Sequence, residues 1–230
     1  MRISQIPAPP RMPAGAPFSV LPLAPEWLAS LARLHCGSMT PLQAAALPAA
    51  LAGHDLIVQA CQRDGSATAF ALALLHRLDP RRFDVQALVL CPTRDRAEHV
   101  AQRIRALVEG TGHIKVATLC SGSPIRPQID SLIHGAHVAV GTPGRLLDHI
   151  EGASLDLRAI NTLVFDRADM LLDMGFADDI TFIACRCPKA RRQTLLFHAS
   201  TDAGLSPDIA RLGRLWLRRA RTVSQDDVRG

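Results

Sequence analysis

An α/β fold, a parallel sheet with helices on both faces, is the architecture this chain predicts. Short apolar runs alternate with longer amphipathic segments along its whole length. Such runs, too short for core helices and separated by helical patterns, are what strands buried on both faces look like. With 230 residues and 48% hydrophobic content, one domain can bury a sizeable core.

The elements follow in order. Residues 1–17 (MRISQIPAPPRMPAGAP) are proline-rich and aperiodic and read as a flexible lead. Strands are expected over 55–60, 86–91, 114–119, 137–141, 162–166 and 193–198. Helices fall between them, for example 67–78, 94–109 and 175–184. A last helix begins at Ser206-Pro207-Asp208, where an N-cap serine precedes proline at the first helical position. The domain is expected to run over 18–223, with 224–230 as a tail. In an open parallel sheet, loops at the carboxyl ends of the strands carry the ligand chemistry.

Those loops hold a series of short motifs. Met39-Thr40-Pro41-Leu42-Gln43 precedes the first strand, and Ala60-Cys61-Gln62-Arg63-Asp64-Gly65-Ser66-Ala67 follows it. Cys91-Pro92-Thr93-Arg94, Ser121-Gly122 and Thr142-Pro143-Gly144-Arg145 follow the next three strands. Val164 to Phe176 reads VFDRADMLLDMGF, and His198-Ala199-Ser200 closes the series. In content and order these resemble the Q, Walker A, P-T-R-E-L, G-G, T-P-G-R, D-E-A-D and S-A-T motifs of the DEAD-box ATP-dependent RNA helicases. The resemblance spans about residues 18 to 223, and segments such as QAAALPAALAG, QALVLCPTR, GRLLDH and RQTLLF resemble the DbpA-like bacterial branch. It implies a RecA-like N-terminal helicase domain, with the second RecA-like domain expected to be absent.

Departures from the family pattern fall on the ATPase motifs. A working phosphate loop, A-x-T-G-S-G-K-T in the family, uses glycines to aim backbone N–H groups at phosphates, a lysine on the β/γ-phosphates and a hydroxyl on Mg²⁺. Here only Ala60 and Gly65 match, Ser66 stands at the lysine position and Ala67 at the hydroxyl position. Within D-E-A-D, Asp166 and Asp169 are kept, but Arg167 replaces the glutamate whose carboxylate polarises the attacking water, and a guanidinium can take no proton. His198 and Ser200 flank Ala199 where the family has S-A-T. The expectation is a pseudo-helicase with none of its catalytic positions intact and no cofactor. A residual nucleotide site at Gln43, Gly65 and Arg63, with Trp27 or Phe18 stacking the base, is an alternative from which weak ATP or ADP binding would follow, and a slow ATPase using unconventional residues is a weaker one. Arg63 or Arg167 as phosphate clamps is less favoured than either arginine pairing with Asp64, Asp166 or Asp169.

By the same resemblance, Pro92, Thr93, Arg94, Gly122, Thr142, Gly144 and Arg145 match RNA-backbone motifs, which grip phosphate without ATP chemistry. Weak, non-specific RNA binding is therefore one expected function, although Asp95 and Arg96 replace the E-L of the family motif. A protein-interaction module is the other. The net charge of +5 is uneven: residues 186–230 hold 10 Lys/Arg against 4 Asp/Glu, and 1–185 hold 16 against 17. Lys189, Arg191, Arg192, Arg211, Arg214, Arg218, Arg219 and Arg221 would suit phosphates or an acidic partner, or form a solvated face.

Other chemistry is set aside. The six cysteines show no C-x-x-C spacing and read as reduced thiols, and His134 with His137 lacks a third metal ligand nearby. No stretch approaches the roughly 18 apolar residues of a membrane span, and no charged-then-apolar leader is present, so a soluble cytoplasmic protein is expected.

Overall fold

The structure is a computed structural model, and it describes residues 12–60, 65–110, 113–199 and 205–224. Seven parallel strands form one sheet: β1 (Leu56–Gln59), β2 (Ala87–Leu90), β3 (Val116–Leu119), β4 (Val138–Gly141), β5 (Thr162–Phe165), β6 (Gln193–His198) and β7 (Arg221–Val223). Their spatial order is β3-β4-β2-β5-β6-β1-β7. Helices α1 (Pro25–Arg33) and α2 (Pro41–Leu51) precede β1, and each crossover between strands is helical, through α3 (Ser66–His76), α4 (Arg94–Val108), α5 (Ile125–Ile133), α6 (Pro143–Glu151), α7 (Ala168–Asp173) with α8 (Ala177–Arg186), and α9 (Pro207–Trp216).

The strands read as unbroken apolar runs because both of their faces are covered. Leu56, Val58, Val89, Val138, Val140, Val164, Leu195 and Phe197 point to the core under α1–α4. Their chain neighbours Ile57, Leu88, Leu90, Ala139, Leu163, Phe165 and Leu196 point to a second core, which receives α8 and α9. This two-residue alternation divides each strand between the cores. Burying each leucine or valine contributes about 2 kcal/mol, so both layers hold the sheet between helices.

All six expected strands are present within two residues of their predicted ends. Helix α9 starts as its sequence predicts, the Ser206 hydroxyl accepting from the Ile209 N–H at 3.3 Å. Three differences have physical causes. The single helix expected over 175–184 is preceded by the short α7, and the two are separated at Gly175, whose φ of +84° ends α7 in a left-handed turn. Strand β7, not foreseen, has only three residues and extends the sheet beside β1. Residues 15–17, expected to belong to the flexible lead, are tied to the domain: Gly15 donates to the Met39 carbonyl at 3.1 Å, Met39 donates to that of Ala16 at 2.9 Å, and Pro17 bridges Ser38.

Candidate functional site

The motif loops gather at the carboxyl edge of the sheet, because parallel strands all end on the same side. One half of that edge, over β3, β4 and β2, carries the residues expected to contact RNA. Thr93 caps α4, its hydroxyl accepting from the Arg96 N–H at 3.2 Å. Arg94 then reaches across to the loop after β3, donating to the Gly122 carbonyl at 3.2 Å and to Glu98 at 2.7 Å. Gly122 has φ +81°, and a Cβ there would press on the Arg94 guanidinium. From the start of α6, Arg145 donates to the Ser123 carbonyl at 2.9 Å and to Asp148 at 3.1 Å. Pro92 and Thr142 lie in these same loops, Gly144 sits in the first turn of α6, and the space around it is open. Two arginines thus tie three neighbouring loops into one surface.

A buried relay supports that surface from behind. The Gln128 side chain of α5 donates to the Cys120 carbonyl at 3.0 Å, which turns its oxygen toward His149 Nε2 of α6 at 3.2 Å. His149 Nδ1 lies 2.8 Å from the Ser154 hydroxyl. Burial, then Arg145, lowers the His149 pKa below the ordinary 6.5, which keeps the ring neutral.

The other half of the edge, over β5, β6 and β1, carries the positions of the ATPase motifs. Gly65, with φ +83°, leads into α3, where Ser66 and Ala67 form the buried first turn. Thr40 and Gln43 form a capping box on α2: the Gln43 oxygen accepts from the Thr40 N–H at 2.9 Å and its amide donates to the Gly65 carbonyl at 3.1 Å. Gln43 is thereby tied to the backbone at both ends of its side chain. Trp27 and Phe18, which the sequence offered as base-stacking residues, are buried in the core instead.

Past β5, both oxygens of Asp166 face an arginine that sequence reasoning left out. Arg96 Nη2 lies 2.8 Å from Asp166 Oδ1, and Arg96 Nε donates to Oδ2. The Asp166 side chain is 1% exposed and that of Arg96 28%. Cys91 points its thiol at the same carboxylate from 3.8 Å, and burial, with Asp166 adding to it, pushes the thiol pKa well up. The signal was present in the sequence, a charged residue at the apolar position of P-T-R-E-L, but its partner lies 70 residues away. Arg167 meets the expectation of an aspartate pair: its Nη2 lies 3.0 Å from Asp169 Oδ2. Asp169 Oδ1 accepts from the Ala199 N–H at 2.8 Å, joining the end of β5 to the end of β6. Arg167 holds a left-handed backbone, φ +58°, which costs a residue with a Cβ about 1 kcal/mol. His198 is buried, and its Nε2 has no partner among the described residues. Arg63, Asp64 and Ser200 lie outside the described residues.

The basic C-terminal segment is less available than its composition implied. Arg192 is 2% exposed and spends its fork on the Ala184, Cys187 and Trp216 carbonyls and the Thr194 hydroxyl. Arg218 donates to the Ala190 and Arg192 carbonyls at 2.7 and 2.6 Å. Both are structural. His137 is buried, with Nδ1 accepting from the Lys115 N–H, and no group of three metal-ligating side chains occurs among the described residues. Among those residues no helix is long and apolar enough to cross a membrane.

The DEAD/DEAH box helicase family model matches residues 40–205. The ATP-dependent RNA helicase DbpA of Escherichia coli (strain K12) is 47% identical over 203 residues, 88% of this chain and 44% of that protein. The ATP-dependent RNA helicase CshA of Listeria monocytogenes is 40% identical over 207 residues, 90% of this chain and 38% of that protein. The chain thus spans less than half the length of these curated relatives. Among solved structures, a DEAD box protein from the hyperthermophile Methanococcus jannaschii superposes with a TM-score of 0.83 at 30% identity, covering 90% of this chain and 55% of the other. A hypothetical ATP-dependent RNA helicase from Sulfolobus tokodaii gives 0.76 at 27% identity, covering 86% and 56%. Sheet order, motif loops and these likenesses agree: the chain belongs to the DEAD/DEAH box helicase family and has the RecA-like fold of its N-terminal domain.

Proposed function

We propose that this domain binds the phosphate backbone of single-stranded RNA and does not hydrolyse ATP. The relatives' names supply the RNA partner, and the observation that carries the reading is the contrast between the two halves of the sheet edge. On the β3-β4-β2 side, Arg94 and Arg145 hold three loops together while the Arg94 side chain stays 47% exposed. On the β5-β6-β1 side, arginines occupy the carboxylates.

A magnesium nucleotide does not fit that donor set. Asp166 gives both oxygens to Arg96, Asp169 is committed to Arg167 and Ala199, and Ser66 and Ala67 offer neither an ammonium for the phosphates nor the family's metal-binding hydroxyl. No hydrolytic step is therefore routed through this site. In its place the chain's own residues make a closed set of ion pairs, which orders the ends of β5 and β6 without a ligand.

Phosphate release by the purified protein, with and without single-stranded RNA, tests the reading. Turnover no higher than a matched blank is expected, and Arg167→Glu alone should not restore it, because these groups act as a unit. It would also place a carboxylate beside Asp169 and remove its partner. RNA-stimulated turnover in the unaltered protein would contradict the proposal.

A further inference from the structure

We infer that the Arg96 guanidinium is a built-in cation for Asp166, using both carboxylate oxygens that a divalent metal would otherwise draw on and pinning the P-T-R loop to the end of β5 without nucleotide. The inference rests on the reading above that no magnesium nucleotide is used here, and goes beyond it by naming the residue that takes over the metal's structural task.

Three observations converge on Arg96. Its contact with Asp166 is two-pronged, through Nε and Nη2, a geometry that the guanidinium fork can make and a lysine ammonium cannot. The carboxylate it meets is almost wholly buried, at 1% side-chain exposure, so without a cation it would stand unpaired in a low-dielectric site. The backbone of Arg96 is itself fixed, since its N–H donates to the Thr93 hydroxyl that caps α4. Asp166 is held from its own side by its N–H, which donates to the Leu90 carbonyl at 3.0 Å at the end of β2. The pair therefore closes a ring from β2 through Thr93 and Arg96 to β5, and Pro92, Thr93 and Arg94 lie inside that ring. The loop carrying Pro92, Thr93 and Arg94 is thereby fixed at both ends by the chain's own groups.

The exposure difference sets the test. Arg96 is 28% exposed and can turn into water if it loses its partner, whereas Asp166 cannot. Thermal melts in EDTA and in MgCl₂ at matched ionic strength are expected to show a wild-type Tm that does not respond to Mg²⁺. Arg96→Leu should melt about 10 °C lower in EDTA, as expected for stranding a buried charge, and regain part of the loss in Mg²⁺. Asp166→Asn should lose less than Arg96→Leu, and the double variant Arg96→Leu/Asp166→Asn should recover stability without any metal. If Arg96→Leu does not fold, Arg96→Lys decides, because it keeps the charge without the two-point fit and should still melt below wild type. The inference is overturned if Mg²⁺ raises the wild-type Tm, if Arg96→Leu or Arg96→Lys melts with wild type, or if Asp166→Asn is the costlier change. ATP turnover by the wild type would defeat the preceding proposal and leave these melts to be judged by themselves.

Discussion

Several of the described arginines act inward, Arg96, Arg167, Arg192 and Arg218 among them. Arg96 and Arg167 pair with the carboxylates of the D-R-A-D segment, and Arg192 and Arg218 satisfy carbonyls at the opposite edge of the sheet, where α8, α9 and β6 meet. Arg192 is the most enclosed, and its pKa is lowered first by burial, against which Cys187 and Asp55 work. Its planar fork reaches acceptors on three sides, so Arg192→Lys should leave carbonyls unsatisfied and cost roughly 2–3 kcal/mol in urea unfolding. Unfolding at the wild-type midpoint would show that the four contacts contribute nothing net. The composition of 186–230 pointed to a basic surface because a count of charges carries no burial. Arg192 turns inward to carbonyls at the ends of α8 and α9 and Arg218 to carbonyls before β6, and these acceptors come together only once the helices are placed.

Among the elements, β4 is tightly specified at its end by Gly141. Gly141 ends the strand against β3, and a Cβ there would collide with the Leu119 backbone carbonyl and crowd the Leu119 and Leu146 side chains. Backbone cannot give way as a side-chain tip can, so Gly141→Ala should cost about 1–3 kcal/mol in a thermal or urea melt. It should also weaken RNA binding, because Thr142, Gly144 and Arg145 follow directly. Unchanged stability would mean that β3 slides freely beside β4. Most of this level was legible in the sequence. Six strands announced themselves as apolar runs, each followed by a motif loop, and Ser206-Pro207 fixed the start of α9. Strand β7 was not legible: three edge residues, Arg-Thr-Val, carry no periodic signal, and their pairing with β1 spans more than 160 positions of chain. The motifs likewise placed Asp166 and Arg167 at one site but could not show which cation Asp166 would meet.

At the scale of the whole molecule, the sheet edge is divided into a half proposed to grip phosphate and a half closed by its own ion pairs. Binding through Lys/Arg–phosphate contacts releases counterions, so affinity for single-stranded RNA should fall steeply as salt rises, without sequence preference. Arg94, whose side chain is 47% exposed, should contribute one such contact, and Arg94→Ala should weaken binding and flatten the salt dependence by about one unit of slope. Arg145→Ala should weaken it differently, by releasing the Ser123 loop, since the Arg145 side chain is only 13% exposed. If both variants bind as wild type does while neutralising the exposed Arg211 and Arg214 abolishes binding, the basic helix α9 is the binding surface instead. On the proposed reading, RNA binding is uncoupled from nucleotide. Fluorescence anisotropy of a labelled single-stranded RNA, titrated with this protein in the absence and presence of Mg²⁺-ATP at matched ionic strength, tests it most directly. Superimposable isotherms are the predicted result, and a tighter Kd with Mg²⁺-ATP would contradict the account.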